Sequence, residues 1–243
     1  MKSKYLLLFT LFFSLLSCTT KGQKEADDKY YTFKKGSSDG IGKWYMGREV
    51  AHVMGFQGID WLERSNREEE EDTAKLLQNM DIQASDNMAD IGAGSGYHVF
   101  KMAPQASKGM IYAVDIQMEM LAAIKERKEE KGIGNISLIE GSTQSANLPI
   151  NTIDKVLMVD VYHEFDYPRE MLLSIKDALI KEGEIYLIEY RSEDPNVPIK
   201  KLHKMTEKQA VKEMKAIGMK LQKNIKNLPW QHCMVFVKDE AAK

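Results

Sequence analysis

The sequence predicts an α/β fold: a doubly wound, mainly parallel seven-stranded sheet finished by a C-terminal antiparallel hairpin. Three observations predict it. From Leu76 onward short apolar runs alternate with helical patterns, which implies parallel strands with helices on both faces. The first strand, 87–91, runs into a turn with glycines at alternate positions, Gly92, Gly94 and Gly96. The last two strands, 219–226 and 231–238, are joined by the short turn Asn227-Leu228-Pro229-Trp230, which reads as a hairpin.

Each element has a local cause. Alternating glycines let the chain bend sharply and leave no side chain between backbone and ligand. The helix pattern that follows, from His98 to Ala103, aims its free N–H groups at the same place. The second strand, 110–116, ends at Asp115, a carboxylate suited to accept from both hydroxyls of a ribose or to cap the helix 117–131; both roles are open. The third strand, 136–140, leads into Gly141-Ser142-Thr143, and the fourth, 155–161, carries Asp160 into Tyr162-His163-Glu164-Phe165. Helix 168–180 is stopped by Lys181-Glu182-Gly183, and the fifth strand is 184–191. Helix 206–217 ends at Gly218, before the hairpin.

Topology then chooses the working edge. The carboxyl ends of parallel strands share one edge, where ligands bind. The glycine turn, Asp115, Ser142, residues 160–164 and Arg191 fall there. The penultimate strand is expected to run parallel to the others, so its exit turn brings Trp230 and His232 to the same edge. The connection after Arg191 adds Lys200, His203 and Lys204.

The turn Asp90-x-Gly92-x-Gly94-x-Gly96 resembles the first motif of class I S-adenosylmethionine (SAM)-dependent methyltransferases. A dinucleotide site prefers G-x-G-x-x-G, and Tyr97 stands where its third glycine belongs. The resemblance covers roughly 76–238 and includes the closing hairpin of the seven-stranded methyltransferase fold. It implies SAM as cofactor, held by Asp90, Gly92, Ala93, Gly94, Gly96, Asp115, Ile116, Ser142, Thr143, Asp160 and Tyr162. In that family the turn after the third strand edges the adenine, often with an Asp; here Ser142 takes its place.

The resemblance also implies methyl transfer to a small-molecule acceptor. A sulfonium is already activated, so alignment supplies much of the effect, and an acceptor with a proton to lose needs a base. The candidates are His163, Glu164, His203 and His232; a capping or packing role is the alternative for His163. Tyr45, Arg48, His52, Arg191, Lys200 and Trp230 are candidate acceptor contacts, their cations suiting a carboxylate, phosphate or acidic hydroxyl. No metal is expected, because the five histidines are scattered in sequence and only two cysteines exist. The competing reading is an exported SAM- or nucleotide-binding module without catalysis.

The N-terminus has its own signal. Lys2 and Lys4 precede the apolar run 6–16, which is too short to span a bilayer and ends in Leu15-Leu16-Ser17-Cys18. This resembles a bacterial lipoprotein signal, with residues 1–17 removed and Cys18 lipidated. The implied location is the cell envelope, anchored to the membrane and facing the periplasm. Residues 18–40 read as a polar tether, 41–75 as a helical lid or extension, and 76–243 as the cofactor domain. A helix packed on the sheet is an equal reading of the extension. The acidic run 68–72 reads as the solvated first turn of a helix capped by Ser65 with Glu68. Net formal charge is −2 over 243 residues, so a nucleic-acid partner has no electrostatic support.

Overall fold

The computed structural model describes residues 29–241, so the leader and Cys18 lie outside the described residues. The chain divides into two compact units, one ending at Val50 and the other beginning at Ala51. The first unit centres on a three-stranded sheet, β1 (Tyr31–Phe33), β2 (Gly40–Tyr45) and β3 (Arg48–Ala51), in that order. Met46 and Gly47 both have positive φ, 48° and 100°, as a two-residue hairpin turn requires. Glu49 is buried and accepts hydrogen bonds from the backbone of Ser37 and Gly42. Strands therefore occupy part of the expected tether and the start of the expected helical extension, where the two-residue turn favours a hairpin.

The second unit opens with short helices α1 (Ile59–Leu62), α2 (Arg67–Glu71) and α3 (Thr73–Met80). It continues with β4 (Met88–Ile91), α4 (Val99–Met102), β5 (Ile111–Asp115), α5 (Met118–Lys131), β6 (Ile136–Glu140) and β7 (Ile153–Val159). It ends with α6 (Pro168–Ala178), β8 (Leu179–Tyr190), α7 (Glu207–Ala216), β9 (Met219–Asn224) and β10 (Gln231–Lys238). The sheet order is β6-β5-β4-β7-β8-β10-β9, parallel through β8. β10 is antiparallel to both β8 and β9. The expected sheet and hairpin are present.

Period-two alternation splits the strands between two apolar layers. Val156 and Met158 of β7 and Ile185 and Leu187 of β8 face α6 and α7, where Leu172, Ile175, Ala210 and Met214 are fully buried. Leu157, Tyr186 and Ile188 face the opposite layer with Leu76 and Met80 of α3, Met102 of α4 and Ile124 of α5. Successive connections run outward from β4 to β6, then return to β7 beside β4. The crevice between β4 and β7 is thus the switch point of the sheet, where α/β folds place ligands.

Several boundaries differ from the sequence reading. Helix α6 stops at Ala178: Leu179 is extended, at φ −65° and ψ 140°, and pairs with Ile153. The Lys181-Glu182-Gly183 segment expected as a stop lies within β8. Ser65 does not cap α2, whose cap residue is Asn66; its side chain makes no capping bond to the helix amides and instead donates to Glu70 Oε1 at 2.6 Å. Glu68 instead accepts from the Ala74 amide and the Tyr97 hydroxyl. The acidic run is only partly solvated, because Glu71 is buried. Asp115 is not the cap residue of α5; that position is Gln117.

Candidate active site

A cavity of about 520 Å³ opens at the carboxyl edge of the sheet, a size suited to a small molecule. Its floor is the glycine turn. Gly92 and Gly94 sit at φ +71° and +55°, a region that side chains rarely enter. A Cβ on Gly92 would meet Val161 at 2.4 Å, and one on Gly94 would meet Leu62 at 2.5 Å. The Gly92 and Ala93 amides donate to the Val114 carbonyl, which presses the turn onto β5. The Gly94 amide donates to Asp115 Oδ2 at 2.9 Å, and the Gln117 amide donates to Oδ1 at 2.9 Å. Burial raises the Asp115 carboxyl above its ordinary range, against those backbone bonds. Ile116, Gly141, Ser142 and Thr143 line the cavity beyond it.

Asp160, just past β7, has φ +49°, a strained conformation for a side-chain-bearing residue. Its Oδ2 accepts from Gln231 Nε2 at 2.6 Å, and its buried Oδ1 has no hydrogen-bond partner. Burial, then Glu71 and Glu189, push this carboxyl well above the usual range. Glu71 is held by Arg64 Nη2 at 2.6 Å, Arg67 Nε at 2.8 Å and the Tyr190 hydroxyl at 3.0 Å. The Arg64 guanidinium also lies 4.1 Å from the Trp61 ring centre.

At the other side of β7, a short 3₁₀ turn presents His163 and Glu164. Buried Glu189 of β8 faces His163 twice, Oε2 2.7 Å from Nδ1 and Oε1 accepting the backbone amide at 3.2 Å. A carboxylate only accepts, so Nδ1 carries the proton in the neutral ring and Nε2 keeps its lone pair. That Nε2 lies 3.1 Å from Nδ1 of His203. Glu164 Oε1 stands 3.8 Å from His163 Nε2 and 3.6 Å from His203 Nδ1. Its Oε2 accepts from the Met54 amide at 3.2 Å. Gln117 holds the same strap, donating to the Met54 carbonyl at 3.0 Å and accepting from the Phe56 amide at 2.8 Å.

Of the residues expected at the site, Gly92, Gly94, Asp115, Ile116, Ser142, Thr143, Asp160, His163, Glu164, Lys200 and His203 line this cavity. Others lie elsewhere for clear reasons. Asp90 and Ala93 are buried among the strand ends and outside the lining. Gly96 faces Phe100 and Ile124, so its role is close helix packing. Tyr162 is fully buried, packs on Phe165 and donates to Glu213 at 2.5 Å. Arg191 donates to the carbonyls of Leu228, Gln231 and Pro229, locking the hairpin turn. His232 pairs with Glu193 at 3.0 Å and Asn224 at 3.2 Å, away from the lining. Trp230 lies outside the lining, its ring 6.5 Å from that of Tyr190. His52 is exposed and outside it too. Tyr45 is buried in the first unit against Tyr31, and Arg48 begins β3 there.

Arg64 lies in the extension expected as a lid, whereas Arg67, Glu71, Gln117 and Tyr190 are lining residues outside the candidate set. Their one local signal was the (i, i+4) pair Arg67–Glu71.

The donor set fits SAM. Asp115 has lone pairs left for a ribose diol, and the partnerless Asp160 Oδ1 suits an ammonium group. Arg64 and Arg67 in the same lining pair with Glu71, so Asp115 and Asp160 are the acids open to a cation, whose approach would favour the ionised forms that burial alone disfavours.

A sequence model described as "Methyltransferase domain" matches residues 82–234. The chain is similar to the uncharacterized methyltransferase YcgJ of Bacillus subtilis, 26% identical over 128 residues, 52% of this chain and 50% of that protein. It is also similar to a protein-L-isoaspartate O-methyltransferase of Ignicoccus hospitalis, 24% identical over 86 residues, 35% of this chain and 41% of the relative. The chain thus spans about half or less of these relatives. In fold it is similar to a SAM-dependent methyltransferase from Aquifex aeolicus, at TM-score 0.71 and 20% identity, covering 76% of this chain and 98% of that one.

Asp90 is buried, with Oδ2 lacking a partner. Burial, opposed by Arg67 and reinforced by Asp115, pushes its carboxyl up to about 7. An unfolded aspartate titrates near pH ~4. Between these values the folded chain keeps a proton that the unfolded chain has lost. The Asp90 contribution is therefore full below about pH 4 and is lost as pH rises through about 7. Denaturation followed from pH 5 to 8 is expected to show falling stability. Asp90→Asn is expected to remove up to one proton's share of that fall, roughly 3 kcal/mol between pH 5 and 8. An unchanged pH slope in the variant contradicts this account.

Proposed function

The chain belongs to the methyltransferase domain family, and from that premise we propose that it transfers a methyl group from SAM to a small-molecule acceptor seated beside His163, Glu164 and His203. The partnerless, buried Asp160 Oδ1 in an acidic cavity is the observation that carries the reading. When bound, SAM supplies an activated methyl group on a positively charged sulfur. Asp115 holds the ribose, and the slot of Ile116, Gly141, Ser142 and Thr143 takes the adenine. Asp160 receives the ammonium group. The glycine turn gives this ligand a floor without side chains.

The acceptor end follows from the imidazoles. His203 is partly exposed and lines the cavity, so it is the ring placed to take an acceptor's proton. His163 and Glu189 stand behind it and orient it through the 3.1 Å and 2.7 Å contacts. The Val53–Phe56 strap, pinned by Gln117 and Glu164, and the apolar residues Leu62, Phe165 and Ile199 keep water from the reacting atoms. A concave cavity and a near-neutral chain favour a small acceptor over a nucleic acid.

Calorimetric titration with SAM tests the cofactor half. Wild type is expected to bind one equivalent. Gly94→Val is expected to weaken binding by about a hundredfold or more, ~2.7 kcal/mol, through its positive φ and its collision with Leu62. Equal affinity in the two proteins removes the reading. Methyl transfer from labelled SAM to a panel of small phenols, carboxylic acids and amines tests the other half. SAM binding without transfer to any of them favours the binding-module alternative.

We also propose that Cys18 is lipidated and anchors the chain in a bacterial envelope, facing the periplasm. The Leu-Leu-Ser-Cys pattern at the end of the apolar run supports this. Mass spectrometry of the membrane fraction is expected to find a processed chain beginning at acylated Cys18, and Cys18→Ser is expected to leave it unprocessed. An unmodified wild type in the cytosolic fraction contradicts it.

A further inference from the structure

The geometry points to a divalent first-row metal site at His163, Glu164 and His203. We propose that an ion there is held by His163 Nε2, His203 Nδ1 and Glu164 Oε1, with its remaining positions open to the cavity. Among the described residues these three form a group whose ligand atoms lie within 4.8 Å of one another.

Three features of the cluster suit an ion. First, the spacing is right. Two imidazole nitrogens bound to one ion at ~2.1 Å stand roughly 3.0 to 3.4 Å apart, depending on the angle; here they are 3.1 Å apart. Glu164 Oε1, at 3.6 and 3.8 Å, has a few tenths of an ångström to close. Second, the orienting shell is already built. Glu189, fully buried, accepts from His163 Nδ1 and from its backbone amide, which leaves Nε2 facing the other ligands as a lone pair. A carboxylate behind a histidine ligand is the usual second partner of a metal site. Glu164 is held likewise, its Oε2 accepting from Met54 while Oε1 faces the imidazoles. Third, the opposite side of the cluster is cavity, which all three residues line. Two imidazoles and one carboxylate with open positions describe a working site rather than a closed structural one.

Without an ion, two imidazole nitrogens 3.1 Å apart need a proton between them. The ion would take that proton's place, and His203 would then serve as a ligand rather than as the base, the ion itself making a bound acceptor's proton easier to lose. Its chemical consequence builds on the proposed transfer reaction: the acceptor would bind through an oxygen or nitrogen beside the methyl donor. The preferred class is thus a small molecule with a hydroxyl, carboxylate or amine able to reach the metal. Strap residue Met54 is tied to ligand Glu164, so loading the site also braces the strap.

The test uses the full-length chain purified without a histidine tag and stripped with chelator. It is titrated with Co²⁺ and Zn²⁺ alone, with bound metal counted by elemental analysis and cobalt coordination read in the visible spectrum. S-adenosylhomocysteine binding is measured in parallel. The expected result is one ion per chain in wild type, weakened by roughly tenfold or more in both His203→Ala and Glu164→Gln, while S-adenosylhomocysteine still binds. That retained binding shows the variants are folded. No stoichiometric metal binding in wild type, or equal binding in both variants, overturns the site. Loss of S-adenosylhomocysteine binding in wild type strikes the proposed cofactor instead and leaves the metal count to be read separately.

Discussion

The structure depends on carboxylates buried where the strands end. Asp90, Asp115 and Asp160 all stand at the carboxyl edge, and burial raises each one's pKa. Burying a charge costs free energy unless something opposite or hydrogen-bonded faces it. The fold answers unevenly. Asp115 receives two backbone amides, Asp160 receives one side-chain donor, and one oxygen of Asp90 receives none. A domain that only needed to fold would place apolar groups at these positions. Keeping them spends stability, and a cationic ligand that binds the folded chain would return some of it.

The cavity walls follow from that constraint. Arg64 and Arg67 both pair with Glu71, and Arg67 also offsets part of the burial of Asp90 and Asp160 without hydrogen-bonding either one. That network sets the position of α2 and leaves Asp160 Oδ1 unpaired. On the far side Glu189 performs a similar task, fixing His163 and, through it, the approach to His203. One line of polar groups therefore crosses the cavity from the arginines, past the strand ends, to the histidines. The strap at Met54 ties to both β5 and β7 through Gln117 and Glu164.

What the sequence made legible was local. The glycine turn, Asp115 and Asp160 could be placed because each sits at the end of an apolar strand, and the parallel topology brings strand ends together. The closing hairpin was legible from two strand patterns and a short turn. What escaped depended on long-range packing. The run at 68–72 looks solvated until α2 turns Glu71 inward against Arg64, Arg67 and Tyr190. His163 and His203 are 40 positions apart, so no spacing rule joins them, and the expectation of no metal cluster rested on that separation. His232 and Arg191 fell at the correct edge, yet their partners Glu193 and the hairpin carbonyls draw them out of the cavity. Topology fixes an edge; side-chain pairing decides which residues face the ligand.

The central claim is that buried acids at the sheet edge are the binding surface for the methyl donor. A crystal structure of the full-length chain soaked or grown with SAM tests it most directly. Both ribose hydroxyls are expected on the Asp115 carboxylate, and the ligand's ammonium on Asp160 Oδ1, with the methyl group turned toward His163 and His203. A ligand bound elsewhere, or one lying in the cavity without touching Asp115 and Asp160, would contradict it.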